Sequence, residues 1–210
     1  MSNVEEKLLL QESMYDYIES ARIEAEVLSS KCLSLNPKSM EFIESSSKFG
    51  GYFSIKTWLY NNSSCETIKE LEKRMKAFED IINHPKNKLA EMYMEGACFS
   101  EVDPFDKKKC LDAFQKCGIA LKDTSPFHIQ AVGYSLFQQG LKIIEELLGD
   151  PEIQKKEKEC NFQLYGGQLQ QDWTGVGFYQ VIGSNHECLR QLKKYFSSIK
   201  KNDSEPVVQK

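Results

Sequence analysis

The sequence predicts an α+β fold, predominantly α-helical, with helices packed on a small antiparallel sheet; the alternative is an all-α fold. Three observations lead there. Several long segments repeat apolar residues at three- and four-residue spacing, the pattern of a helix with one buried face. Two short aromatic and β-branched segments, Tyr52–Tyr60 and Val176–Ile182, read as strands instead. A glycine-punctuated segment, Phe162–Gln170, precedes the second of these and supplies a partner for a hairpin. The 210 residues suit one domain over 1–199, with a polar, disordered tail over 200–210.

The first element is a helix over Glu5–Lys31. Met14, Ile18, Ala21, Ala25, Leu28 and Cys32 fall on one face, and Glu12, Glu19 and Glu26 recur every seven residues on another. Asn36-Pro37 looks like a cap followed by a proline at the first helical position, so a short helix begins there and ends in Ser45–Ser47. Phe49-Gly50-Gly51 then breaks the chain before the strand Tyr52–Tyr60, and Asn61–Ser64 forms the turn after it.

Ser64 caps the best amphipathic helix, which buries Ile68, Leu71, Met75, Phe78 and Ile82 and stops before His84-Pro85. A short helix follows over Leu89–Met94 and ends at Gly96. Asp103-Pro104-Phe105-Asp106 starts another, closed by Gly118. Leu89–Cys117 resembles a single Sel1-type helical repeat, but a solenoid needs about three stacked copies, so no repeat array is predicted. Ser125-Pro126 opens the long helix Phe127–Leu148, in which Gly133 and Gly140 mark a close approach by another element. Gly149-Asp150-Pro151 ends it, and the charged run Glu152–Glu159 is an exposed helix or linker.

The C-terminal unit is read as a hairpin feeding a helix. Asp172-Trp173-Thr174-Gly175 joins the two strands, Ser184 and Glu187 form a capping box, and Leu189, Leu192, Phe196 and Ile199 give the last helix its buried face.

Composition narrows the function. The net charge is -4, with no basic stripe, which argues against nucleic-acid binding because phosphates are held by clustered Lys and Arg. No segment approaches the roughly 18 apolar residues of a membrane span, so no direct membrane insertion is expected. Seven cysteines at irregular spacing, without a signal peptide, indicate free thiols in the cytoplasm. The three histidines have no metal-ligand spacing, the glycines fit no dinucleotide or phosphate loop, and no cofactor is expected. The one catalytic hint is His186 with Cys188 at a helix start, where a helix dipole would lower a thiol pKa; residues two apart on a helix point to different faces.

The expected function is therefore non-catalytic protein binding, in a complex with companion subunits. Its apolar groove is expected between the Phe127–Leu148 helix and the hairpin, lined by Tyr134, Phe137, Trp173, Phe178 and Tyr179. The alternatives are a structural helical subunit of a larger assembly, or an enzyme with an unrecognised Cys/His site. The segment Gly175–Phe196 (GVGFYQVIGSNHECLRQLKKYF), read as strand, turn and a Leu-Arg-x-Leu helix, resembles the small acidic adaptor proteins of Dot/Icm-type (type IVB) secretion systems. Length, acidity and the α+β reading are similar to the larger, LvgA-like adaptor of that set. The resemblance implies a cytoplasmic adaptor or chaperone of a coupling complex that captures secreted substrates.

Overall fold

A computed structural model describes residues 3–166 and 174–204. Its eight elements are all helices: α1 (Asn3–Leu33), α2 (Met40–Asn61), α3 (Ile68–Ile82), α4 (Pro85–Val102), α5 (Lys107–Lys116), α6 (Pro126–Leu148), α7 (Pro151–Cys160) and α8 (Gly175–Ser204). No strand occurs among the described residues, so the expected sheet is overturned and the all-α alternative holds.

Both expected strands are helix. Tyr52–Tyr60 is the second half of α2, which runs unbroken through Gly50-Gly51. Val176–Ile182 forms the first turns of α8. The cause is tertiary. On α2 the positions Ile43, Ser47, Gly51, Ile55, Trp58 and Leu59 are all buried, at helical spacing. Ser47 and Gly51 belong to this stripe but are not apolar, so they hide it. Burying Ile55, Trp58 and Leu59 is worth about 1.5–3 kcal/mol each, far above the tenths that separate aromatic or β-branched residues from better helix formers. Phe162–Gly166 is a turn region, and the rest of the segment to Gln170 lies outside the described residues, as do Asp172 and Trp173 of the expected hairpin loop.

Several helix ends shift for local reasons. Asn36 holds a turn, its Oδ1 accepting from the Lys38 amide, and Ser39 is the true cap of α2, accepting from the Phe42 amide at 3.1 Å. Thr67 replaces Ser64 as the cap of α3. Asp106 replaces Asp103 as the cap of α5. Gly96 does not end α4; it lets Leu136 of α6 approach. Ser184 and Glu187 lie inside α8, where the Ser184 hydroxyl donates to Gln180 O and reaches Ser47 O of α2. Ser125 and Gly149 bound α6, and the charged run after it is helix α7. Helix α8 continues through Ser204, into the stretch expected to be tail; residues 205–210 lie outside the described ones.

Helices α1 and α2 form an antiparallel pair, tied at one end by Lys31–Glu41 and at the other by Lys7–Glu66. Helix α8 packs against α2, α3 and α4, while α6 covers α4 and α7 covers α3. The larger core gathers Trp58, Phe78, Tyr165, Phe178, Leu192 and Tyr195; a smaller one gathers Ala97, Cys110, Phe114, Ile129 and Leu136 between α4, α5 and α6.

Several buried polar groups are paired across helices, whereas the buried Trp58 indole N–H has no hydrogen-bond partner among the described residues. Tyr17 of α1 donates to Gln191 Oε1 at 2.8 Å; Gln191 Nε2 donates to Glu187 and to Tyr52 of α2; Arg190 closes on Glu187. Asn62, wholly buried, donates to Cys160 O of α7 and accepts from Arg74 of α3. Such satisfied networks fix which helix faces meet, because each group left unpaired in the interior costs about 1–3 kcal/mol.

Two consequences are measurable. A Cβ at Gly51 would stand 2.3 Å from Glu187 Cβ, whereas one at Gly177 meets nothing nearer than Thr174 Oγ1 at 3.6 Å. In urea unfolding, Gly51→Ala is expected to lower stability by about 1–3 kcal/mol through overpacking, and Gly177→Ala to raise it by up to about 1 kcal/mol through helix propensity. Burial first, then the neighbouring Tyr52 and Glu187, pushes the Tyr17 hydroxyl from 10.0 up to about 12. The unfolded chain therefore loses this proton at lower pH than the folded one. Stability from Tyr17 is intact below pH 10 and is lost as pH rises to about 12; alkaline unfolding of Tyr17→Phe should lack that component.

Candidate functional site

Helices α4 and α6 come close because Gly133 faces Ser100: a Cβ on Gly133 would sit 1.6 Å from the Ser100 hydroxyl. Gly140 makes room for Met94 in the same way, so both glycines of α6 mark the close approach that their placement predicted. The start of α8 meets α4 through Gly175, whose added Cβ would be 2.8 Å from Ala97 Cβ. Small residues at these junctions leave an open cleft of about 370 Å³ over the α4–α6 seam. Its floor is Ala97, Ser100 and Gly133; Tyr134 and Phe137 stand on the α6 side, Thr174 and Gly175 close one end, and Glu101 and Gln130 supply the polar edge.

The hydroxyls of the floor and of the adjoining end are engaged within the protein. Ser100 Oγ donates to Ala97 O at 2.8 Å, and Thr174 Oγ1 accepts from the Gly177 amide at 3.1 Å. Tyr134 is 67% exposed and holds its ring at the rim. Phe137 is half-buried and bridges the two cores; its ring lies 6.1 Å from that of Phe178. The cleft thus combines an apolar, self-satisfied floor with an aromatic wall, which suits an apolar side chain better than a polar small molecule.

Of the five expected groove residues, Tyr134 and Phe137 line this cleft. Phe178 is wholly buried beneath it and packs on Tyr165 at 6.1 Å, so it supports the wall and has no surface to offer. Tyr179 turns to the other side of α8, edge-to-face with Phe99 at 6.0 Å. Trp173 lies outside the described residues. Ser100 and Ala97 were not anticipated; they carry no chemical signal, and only the position of Gly133 hints that a neighbour must be small.

Tyr179 lines a second cleft, also about 370 Å³, between α2, α4 and α8. Here His186 Nε2 meets Glu91 Oε1 at 2.7 Å, and Glu91 also accepts from Asn87, which accepts from the buried Tyr165 hydroxyl. The chain of bonds runs from core to surface and joins α4 to α8. It places no nucleophile beside the histidine. Cys188, two residues on, is in the interior of α8 rather than at a helix start, and burial pushes its thiol up. Burial also pushes Cys98 and Cys160 up to about 12. Among the described residues no three His, Cys, Asp or Glu side chains are placed to hold a metal ion, and no helix is long and apolar enough to cross a membrane.

No protein-family model matches the chain, and no curated protein or solved structure matches it either.

Thiol accessibility provides a check on the packing. At pH 7 an aromatic disulfide reagent should label the part-exposed Cys32 in the native chain and reach Cys98, Cys160 and Cys188 only on unfolding. Fast native labelling of any of these three would contradict the burial described.

Proposed function

We propose that the chain is a non-catalytic interaction module, an adaptor that seats an apolar anchor of a partner protein in the α4–α6–α8 cleft. The observation that carries the reading is an exposed aromatic, Tyr134, beside a half-buried one, Phe137, over a floor of Ala97, Ser100 and Gly133. Aromatic walls around a desolvated apolar depression are what binding hot spots use. A partner helix or extended tail would enter along the seam with one large apolar side chain inserted.

Companion subunits in a hetero-complex belong to the same reading. The described thiols are all free, which supports a reducing, cytoplasmic setting. Its narrower form, an adaptor or chaperone of a Dot/Icm-type secretion complex, is supported by length, acidity and the Leu-Arg-x-Leu helix at Leu189–Leu192. The helical state of Val176–Ile182 removes the strand and turn from that likeness.

A photo-crosslinking residue at position 134 should give a discrete adduct in the native cell. The same residue at the exposed Tyr60, on α2, should not. Tyr134→Ser should weaken capture of that partner about tenfold, a typical hot-spot loss, with an unchanged melting curve. Identical adducts from positions 134 and 60, or full capture by Tyr134→Ser, would rule out the cleft.

A further inference from the structure

Helix α1 is 31 residues long, about 46 Å, and buries only one side, against α2 and the end of α8. Its inner face is accounted for by Leu10, Met14, Ala21 and Ala25, with Tyr17 and Ser13 hydrogen-bonded to α8. Its outer face is not polar, as a solvated helix back would be. Seven of the thirteen exposed large apolar residues among the described ones are on α1. At about 100° per residue, Leu8 and Tyr15 lie along one edge of the outer face and Leu9 and Val27 along the other. Glu12 and Asp16 stand between them, exposed and without an ion-pair partner among the described residues.

The charge of the chain is concentrated here. Helix α1 holds seven acids and three bases, a balance equal to the whole chain's -4. All other segments together carry equal numbers of each sign. An apolar face with unpaired carboxylates along its centre selects its occupant by charge. A second copy would set one acidic helix against another, and an anionic membrane surface would repel it.

We infer that the outer face of α1 is a docking surface for a basic amphipathic helix of a partner protein, whose Lys or Arg residues pair with Glu12 and Asp16 while its apolar residues cover Leu8, Leu9 and Tyr15. This surface shares no residue with the α4–α6–α8 cleft, so it stands or falls independently of the function proposed for that cleft.

The test uses the full chain and a synthetic fluorescent helix-forming peptide with Leu on one face and Lys on the other, followed by anisotropy. The peptide should bind, and more weakly as salt rises. Glu12→Lys with Asp16→Lys should weaken it about tenfold or more, as should Leu8→Ser with Tyr15→Ser. Tyr134→Ser, in the other cleft, should bind it like the unaltered chain. Circular dichroism of each variant establishes that α1 is still formed. Several outcomes overturn the proposal: no binding, equal binding of a peptide with Glu in place of Lys, or undiminished binding by the Glu12/Asp16 variant. A self-association seen in sedimentation and abolished by Leu8→Ser with Tyr15→Ser would likewise overturn it, by assigning the face to a second copy. Binding of the chain to anionic vesicles through the same residues would assign it to a membrane, with the same consequence.

Discussion

Close contact between α2 and α8, made possible by small residues, is the constraint on which the other helices depend. Gly51 admits the Glu187 side chain, and Gly183 admits Ser47. With the two helices held this near, Glu187 can be buried and still reach Arg190 and Gln191. Gln191 in turn is within range of Tyr52 and Tyr17, which fixes how α1 sits on the pair. A larger residue at position 51 would displace the carboxylate around which this network is built. Overpacking and lost hydrogen bonding would then act together, which is why such interfaces tolerate little change.

The same device recurs at α4, with a different result. There Gly133 and Gly175 bring α6 and the start of α8 onto Ser100 and Ala97. Among the described residues nothing large fills the seam, and the aromatic residues beside it, Tyr134 and Phe137, stand above a shallow floor. Among the described residues, one packing rule thus produces a dense interior at α2–α8 and an open surface cleft at α4–α6. The outer face of α1 has another origin: a long helix that lies at the edge of the bundle, with apolar residues on more sides than its neighbours cover.

Legibility followed where the buried stripe was apolar. Helix α3 shows it plainly, from Ile68 through Leu71 and Phe78 to Ile82, between polar residues, and its limits were nearly right. Helix α6 was equally clear because Ser125-Pro126 and Gly149 punctuate it. Helices α2 and α8 were not. The buried stripe of α2 includes Ser47 and Gly51, and that of α8 passes Ser184 to Asn185 and Glu187; read alone, these residues look like breaks or the start of a new helix. Of the expected groove, α6 contributed Tyr134 and Phe137 because a helix face can be laid out from spacing. Phe178 and Tyr179 were assigned to a strand, whose alternation puts neighbours on opposite faces; in a helix they diverge by about 100°, one into the core and the other onto Phe99.

By itself the sequence determined the cap at Ser125, the end of α6 at Gly149, the stop at Gly118, the amphipathic helices, the acidity of α1 and the close approach at Gly133 and Gly140. These depend on a few neighbouring residues, or on the steric demand of a single one. Whether Tyr52–Tyr60 and Val176–Ile182 are strand or helix was decided only by tertiary structure. Their local preferences differ by tenths of a kcal/mol per residue, whereas burying Ile55, Trp58, Leu59 and Phe178 against partners distant in sequence contributes several. A small or polar residue becomes part of a buried face only when another helix arrives to need the space.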